Sequence, residues 1–294
     1  MRPTRWRRST HVAIGVAVIV LVAAVVAVAA VFTGHRSEAA EAVGPAPAPA
    51  TASPGITPVD VSAPMPPTRG LAASLAPALR DPNLGVVTGR ITTVLAYDRQ
   101  PGLVVLRGGG DTALSAAPAG TDTWYKGAAR ISDLADQVRR SGVRVTTVRV
   151  DTSAYCGPTM APGWDPADIE GGDIAPMEPV MLDGGRTHPV TVESKRSVSP
   201  ALDAGKALAA ALRVDPATVT LLPSGLNGGR EIAAVQSAPL IERLRQMMNE
   251  SDNVMAESIA REVADELNRP QSFAGGVDAV LHQLDGVGID TSGA

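Results

Sequence analysis

Lysine is nearly missing from this chain. Its 294 residues include only Lys126, Lys195 and Lys206. Three places before them stand Thr123, Val192 and Asp203, so no Ser-x-x-Lys exists, and a serine activated by an amine one helical turn away is excluded. Immediately after the lysines stand Gly127-Ala128, Arg196-Ser197 and Ala207-Leu208, so none opens a Lys-Thr-Gly or Lys-Ser-Gly. Cysteine is scarcer still. Cys156 stands alone, in the turn Tyr155-Cys156-Gly157-Pro158. It has no intramolecular disulfide partner, and no base is placed beside it in sequence to generate thiolate. The four histidines, His11, His35, His188 and His282, lack metal-ligand spacing. Aromatic residues make up only 3% of the chain, and the formal net charge of -4 argues against a nucleic-acid partner, whose phosphates call for a basic face.

One long apolar run is present. Residues 12–32 are mostly aliphatic, and at about 1.5 Å per residue they suffice to span a hydrocarbon core of roughly 30 Å. Arg2, Arg5, Arg7 and Arg8 precede the run, which predicts residues 1–11 as a cytoplasmic basic tail and sends the remainder outside. Signal-peptide apolar regions span about 7 to 15 residues, so the length favours an uncleaved single-pass anchor in the cell membrane. Small residues such as Ala27-Val28-Ala29 keep open the alternative, a cleaved signal and a secreted product. Residues 33–68 are rich in Ala and Pro and read as an extended linker with too little apolar surface to offset its ordering entropy.

Beyond the linker the patterning alternates. Leu71, Leu75 and Leu79 mark a short helix, and a strand is expected from Gly85 to Ile91. Thr92–Ala96 and Leu103–Leu106 read as strands joined through Asp98-Arg99-Gln100-Pro101-Gly102. Ser132 is expected to cap a helix ending at Arg140, with Gly142 as a left-handed stop and Val143–Val150 as the next strand. Ser199-Pro200 opens another helix with Leu202, Leu208 and Leu212 on its apolar side, followed by a short strand at Val219–Leu222. From Ser237 onward the pattern is helical, in three segments carrying Leu240 to Met248, Met255 to Leu267, and Phe273 to Leu284.

Three blocks of residues carry chemistry. They are Val104-Val105-Leu106-Arg107-Gly108-Gly109-Gly110-Asp111 with Leu114-Ser115, the stretch from Gly163-Trp164-Asp165 to Met181-Leu182-Asp183-Gly184-Gly185, and the segment from Gln236-Ser237-Ala238-Pro239-Leu240 to Ser251-Asp252-Asn253-Val254-Met255-Ala256-Glu257. In this order they resemble the penicillin-binding D-alanyl-D-alanine carboxypeptidase/endopeptidase family, the low-molecular-mass class with a domain inserted in its acyl-transfer domain. The resemblance runs from about Arg69 to the C-terminus. It implies a mixed α/β (α+β) fold: a partial beta-lactamase/transpeptidase-like domain with an inserted α/β domain, preceded by the membrane segment. Residues 69–91 would start the acyl-transfer domain, 92–235 would form the insertion, and 236–294 would be the helical part carrying Ser-Asp-Asn. It also implies that the family's first motif, with its strand and helix, would fall between about Arg90 and Thr92, where this chain passes straight on.

In the family, a serine attacks the D-Ala-D-Ala carbonyl and a lysine one turn later takes its proton. The second-motif serine joins that lysine's hydrogen bonds and the asparagine orients the substrate amide. By resemblance those two positions are Ser251 and Asn253, while Asp252 receives no chemical role. The residues themselves also permit a structural reading in which Ser251 caps the helix beginning near Met255. Thr123-Trp124-Tyr125-Lys126 imitates the first motif with threonine for serine and, by resemblance, lies inside the insertion away from the cleft. Arg140-Ser141-Gly142 imitates the third motif but precedes Ser251 and reads as a helix end. Asp165, Asp168, Glu170 and Asp173 match no calcium-loop spacing and read as a solvated acidic loop. Gly108-Gly109-Gly110 lacks the Lys-Ser/Thr of a phosphate loop and reads as a tight turn.

The expectation is a serine-type carboxypeptidase family protein of peptidoglycan metabolism, impaired or inactive as the chain stands; the alternative is a non-catalytic, membrane-tethered wall-binding remnant. Implied partners are peptidoglycan stem peptides and, through residues 12–32, the membrane. Beta-lactams are expected for the complete family site only, and no cofactor is implied. The C-terminal helices, deprived of the nucleophile helix they would pack against, are expected to be loosely held.

Overall fold

Strands β1 (Ile91–Ala96) and β2 (Leu103–Gly108) form the antiparallel hairpin expected from their β-branched runs, Val94 facing Leu106 and Ala96 facing Val104. The computed structural model describes residues 89–223, 226, 228–286, 288, 289 and 291. The apolar run at 12–32, the linker, the Leu71–Leu79 helix and the first residues of the Gly85–Ile91 strand lie outside them. Among the described residues no helix is long and apolar enough to cross a membrane.

The hairpin sits in a five-stranded sheet. Its other members are β4 (Thr147–Asp151), β6 (Thr220–Leu221) and β7 (Arg230–Gln236), in the order β6-β4-β2-β1-β7. The pairs β2–β4 and β4–β6 are parallel, so each requires a crossover, and each crossover contains a helix. These are α1 (Ile131–Arg140) and α3 (Pro200–Ala211). Leu134 and Val138 of α1 and Ala201, Ala204 and Leu208 of α3 join Val94, Val104, Leu106, Val148 and Val150 in one buried cluster. The mid-helix Gly205 lets α3 approach closely, since a Cβ there would stand 2.4 Å from Val150 Cγ2. On the opposite face Leu95, Tyr97, Leu103 and Val105 are covered by Leu222 and Leu226.

The Gly108-Gly109-Gly110 turn leads to a second, two-stranded sheet of β3 (Asp111–Leu114) and β5 (Val180–Leu182), with the short helix α2 (Ala167–Gly171) between them in sequence. The turn admits no side chain at Gly109, where a Cβ would come within 2.3 Å of the Ile91 carbonyl oxygen. Of the C-terminal helices α4 (Leu240–Glu250), α5 (Asn253–Glu266) and α6 (Phe273–Gly286), α5 lies against β3 and the other two pack on α5. Met255 and Ile259 are buried with Ala113 and Tyr125, and Leu240, Leu244, Met247 and Trp124 close the cluster. Part of the cover for these helices therefore comes from residues 113–128, while Met248 stays 65% exposed. Two buried ion pairs, Arg243 with Glu262 at 2.7 Å and Arg261 with Glu257 at 2.6 Å, bind α4 to α5 and one turn of α5 to the next.

Several local readings change. Ser132 does not cap α1: the N-cap is Arg130, with no side-chain cap bond, and the Ser132 hydroxyl reaches only Asp133. The strand expected from Val143 begins at Thr147, because Thr146 and Thr147 both donate to the Gly102 carbonyl and so set where pairing starts. Val143 and Val145 pack against the core from the preceding loop. Strand β7 escapes sequence reading because Arg-Glu-Ile-Ala-Ala-Val-Gln has neither strict alternation nor a β-branched majority.

Candidate functional site

Ser251, Asp252 and Asn253 form the joint between α4 and α5. Ser251 ends α4 in the left-handed conformation (φ 52°, ψ 45°), unusual for a residue with a Cβ. Asp252, not Ser251, is the N-cap of α5: its Oδ1 accepts from the Met255 N–H at 3.1 Å, and the Ser251 hydroxyl takes no partner among the described residues. The chain reversal turns the two residues beside Asp252 outward. Both are half-buried, and the Asn253 side-chain amide donates to the Asp173 carbonyl at 3.2 Å.

The hub of the joint is the residue to which the resemblance assigned nothing. Asp252 Oδ2 accepts from the Tyr125 hydroxyl at 2.6 Å, and Arg196 Nη2 stands 3.8 Å from Oδ1. Arg196 is held by two carbonyls, donating to Gly172 at 2.8 Å and to Gly184 at 2.7 Å. Burial first, and then the Asp252 carboxylate, push the Tyr125 phenol well above its ordinary range, which keeps the proton on the donor. The Thr123–Lys126 segment, expected apart from the site, therefore lies directly against the Ser-Asp-Asn turn. Gln246 of α4 clasps it, accepting from the Lys126 N–H at 3.0 Å and donating to the Trp124 carbonyl at 2.6 Å. The Arg186 guanidinium lies 3.7 Å over the Trp124 ring. Burial, and secondly Arg196, lower the Arg186 pKa.

Two buried carboxyls flank this network. Asp183 accepts from the Ser115 hydroxyl at 3.2 Å, and Asp111 accepts from the Ala113 N–H at 2.9 Å. Each has its second oxygen buried without a hydrogen-bond partner, and burial raises each to about 6.

Among the described residues no base is hydrogen-bonded to Ser251. Lys126 is exposed, Lys195 pairs with Glu170, and Lys206 pairs with Asp203 at 3.1 Å. The acidic loop divides its groups: Asp165 accepts from the Ala167 N–H at 2.9 Å and Glu170 is taken by Lys195. Among the described residues no group of three or more His, Cys, Asp or Glu is arranged to hold a metal ion. Sequence reasoning missed Tyr125 and Arg196. One signal for the first was available: Trp124-Tyr125 is an adjacent aromatic pair in a chain with only eight aromatic residues.

Known proteins share this sequence over most of its length. The model of the D-Ala-D-Ala carboxypeptidase 3 (S13) family matches residues 82–198 and 189–294, and a model described as the N-terminal domain of Carboxypeptidase Rv3627c-like proteins matches residues 1–58. Carboxypeptidase DacB of Mycolicibacterium smegmatis is 69% identical over 337 residues, covering 100% of this chain and 73% of its own length. Carboxypeptidase Rv3627c of Mycobacterium tuberculosis is 52% identical over 340 residues, with the same coverage of 100% and 73%. The crystal structure of penicillin binding protein 4 (dacB) from Haemophilus influenzae is 20% identical with a TM-score of 0.49, covering 74% of this chain and 61% of that one.

Proposed function

The chain belongs to the D-Ala-D-Ala carboxypeptidase (S13) family of cell-wall metabolism, and from that premise we propose that it retains the peptidoglycan stem-peptide position of the family site but cannot be acylated there. The observation that carries this is the surroundings of Ser251: among the described residues no lysine is hydrogen-bonded to it, and no serine precedes a lysine by one turn. A serine hydroxyl without a base is a weak nucleophile at neutral pH. The alignment with the M. smegmatis relative supports the reading, because it runs over 337 positions while this chain, covered from end to end, supplies 294 residues. The relative thus has internal stretches with no counterpart here, in keeping with a nucleophile segment passed over near Arg90. Asn253 keeps the role the family gives it, orienting the scissile amide, while Ser251 lacks the lysine whose hydrogen bonds it would join. Residues 92–235 are read as the inserted unit and 236–294 as the helical remainder of the acyl-transfer domain, with residues 12–32 holding both outside the membrane.

The test is acylation of the full chain, in membranes, by a fluorescent penicillin. No denaturation-resistant label is expected. A stoichiometric label mapped to one serine overturns the proposal and identifies the missing nucleophile.

A further inference from the structure

Six of the described arginines have side chains with neither a hydrogen bond nor an ion pair among the described residues: Arg99, Arg140, Arg144, Arg149, Arg213 and Arg230. The other ten are each engaged, by carboxylates as at Arg107, Arg243 and Arg261 or by carbonyls as at Arg130 and Arg196. The topology gathers five of the six unengaged ones at one end of the sheet, with Arg149 at mid-strand nearby. Arg99 lies in the β1–β2 turn. Arg230 opens β7 and pairs with Ala96, the last residue of β1 beside that turn. Arg144 comes two residues before Thr146, whose N–H donates to the Gly102 carbonyl of the same turn at 2.9 Å. Arg140 ends α1, and its neighbour Arg139 donates to the carbonyl of Ala211, the last residue of α3, at 3.4 Å. Arg213 comes two places after Ala211, on the path to β6. Arg149 is the middle residue of β4, paired with Val105 and Thr220, and so lies inward of that end.

All but the half-buried Arg149 are exposed. Acidic groups at this end are Asp98, Asp215 and Glu231, and Asp136 already pairs with Arg139. Asp215 is partly committed, accepting from the Ala217 N–H at 2.9 Å. The basic excess stands against the charge of the folded part as a whole, since residues 89–294 hold 19 Lys and Arg against 26 Asp and Glu. A polyanion is repelled by most of this surface and drawn to the one end where guanidinium groups remain free. Gly89 and Arg90 bond to Gln236 and Ser237 at the opposite ends of β1 and β7.

We infer that the arginine end of the sheet is a docking surface for the carboxylate-bearing stem peptides of peptidoglycan, separate from the Ser251 position. It rests on the proposed peptidoglycan function and adds to it the face that holds the polymer. Guanidinium forks suit carboxylates, and many weak contacts along one strand sum by effective concentration. Retention there is electrostatic and falls with salt.

The experiment is cosedimentation of the full chain, in detergent micelles, with sacculi stripped of phosphodiester-linked polymers. Binding at low salt should weaken roughly tenfold in the variant Arg140→Glu/Arg144→Glu/Arg213→Glu, and also for the unmodified chain when salt is raised to about 0.5 M, where screening shortens to about 4 Å. The Arg→Gln triple variant should lose an intermediate amount, a graded response that misfolding does not produce. Wild-type-like binding by the Glu variant overturns the inference, as does failure of the unmodified chain to bind stripped sacculi. Arginine-dependent capture by phosphatidylglycerol vesicles without capture by sacculi also overturns it, in favour of a lipid surface. Penicillin acylation would sink the silent-site proposal and leave this result standing.

Discussion

At the scale of single residues, the geometry of the Ser-Asp-Asn turn depends on Asp252 and on the phenol that bonds to it. Tyr125→Phe removes the 2.6 Å bond and leaves a carboxylate oxygen buried beside a ring edge. Unsatisfied buried acceptors cost about 1–3 kcal/mol, so unfolding of the variant should shift by about that amount. Retention of wild-type stability would mean that Arg196 and the α5 N-terminus suffice to hold the turn. Asp111 and Asp183 make the stability depend on pH. Both titrate near 6 in the folded protein against an ordinary 3.8, because burial disfavours the charged form. The folded state therefore binds protons more tightly than the unfolded chain between those values. The contribution of these groups is fullest below about pH 4, is lost as pH rises toward about 6, and is flat beyond, by roughly 2–3 kcal/mol per group. Asp111→Asn should match wild type at pH 4 and exceed it in unfolding temperature at pH 7.5. Equal melting at both pH values would show that the Asp111 carboxyl stays charged at little expense.

At the scale of elements, β7 is an edge strand, and its outer edge is not left open. The Gln137 amide of α1 donates to the Ala234 carbonyl at 2.8 Å and accepts from the Ala234 N–H at 3.1 Å, standing in for the next strand. Edges left unpaired invite other chains to add to them. Gln137→Ala should speed amide exchange at Ala234 and lower stability by about 1 kcal/mol, a small loss because water replaces the side chain at this half-buried position. Unchanged exchange at Ala234 would show that the strand is held by β1 alone. The elements most legible in the sequence were those with strong periodicity or punctuation: the β1–β2 hairpin, α3 after Ser199-Pro200, and the three C-terminal helices. β7 and α2 were missed because neither has a pattern of its own, and the start of β4 was misjudged because it is set by the Gly102 carbonyl, distant in sequence.

For the whole molecule, the apolar run at 12–32 predicts that the intact protein stays with membranes through high-salt and alkaline washes; a soluble species beginning beyond Ala29 would show cleavage instead. The alternation of helices with valine-rich strands, the order of the three blocks and the absence of a Ser-x-x-Lys could all be read along the chain, because they depend on residue type and spacing, which are local. Which residues meet at Asp252 could not. Tyr125 is 127 places from it in sequence, and Arg196 approaches from yet another loop; the two converge only because β3, β5 and α5 pack together with glycine at position 184, where a Cβ would lie 2.3 Å from the Tyr125 hydroxyl. The cap likewise passed from Ser251 to Asp252 once the turn between α4 and α5 put Ser251 in the left-handed region. The free arginines obey the same logic. Their number is set by composition, but their gathering at one end of the sheet comes from strand order and direction, which long-range hydrogen bonds impose and residue spacing does not encode.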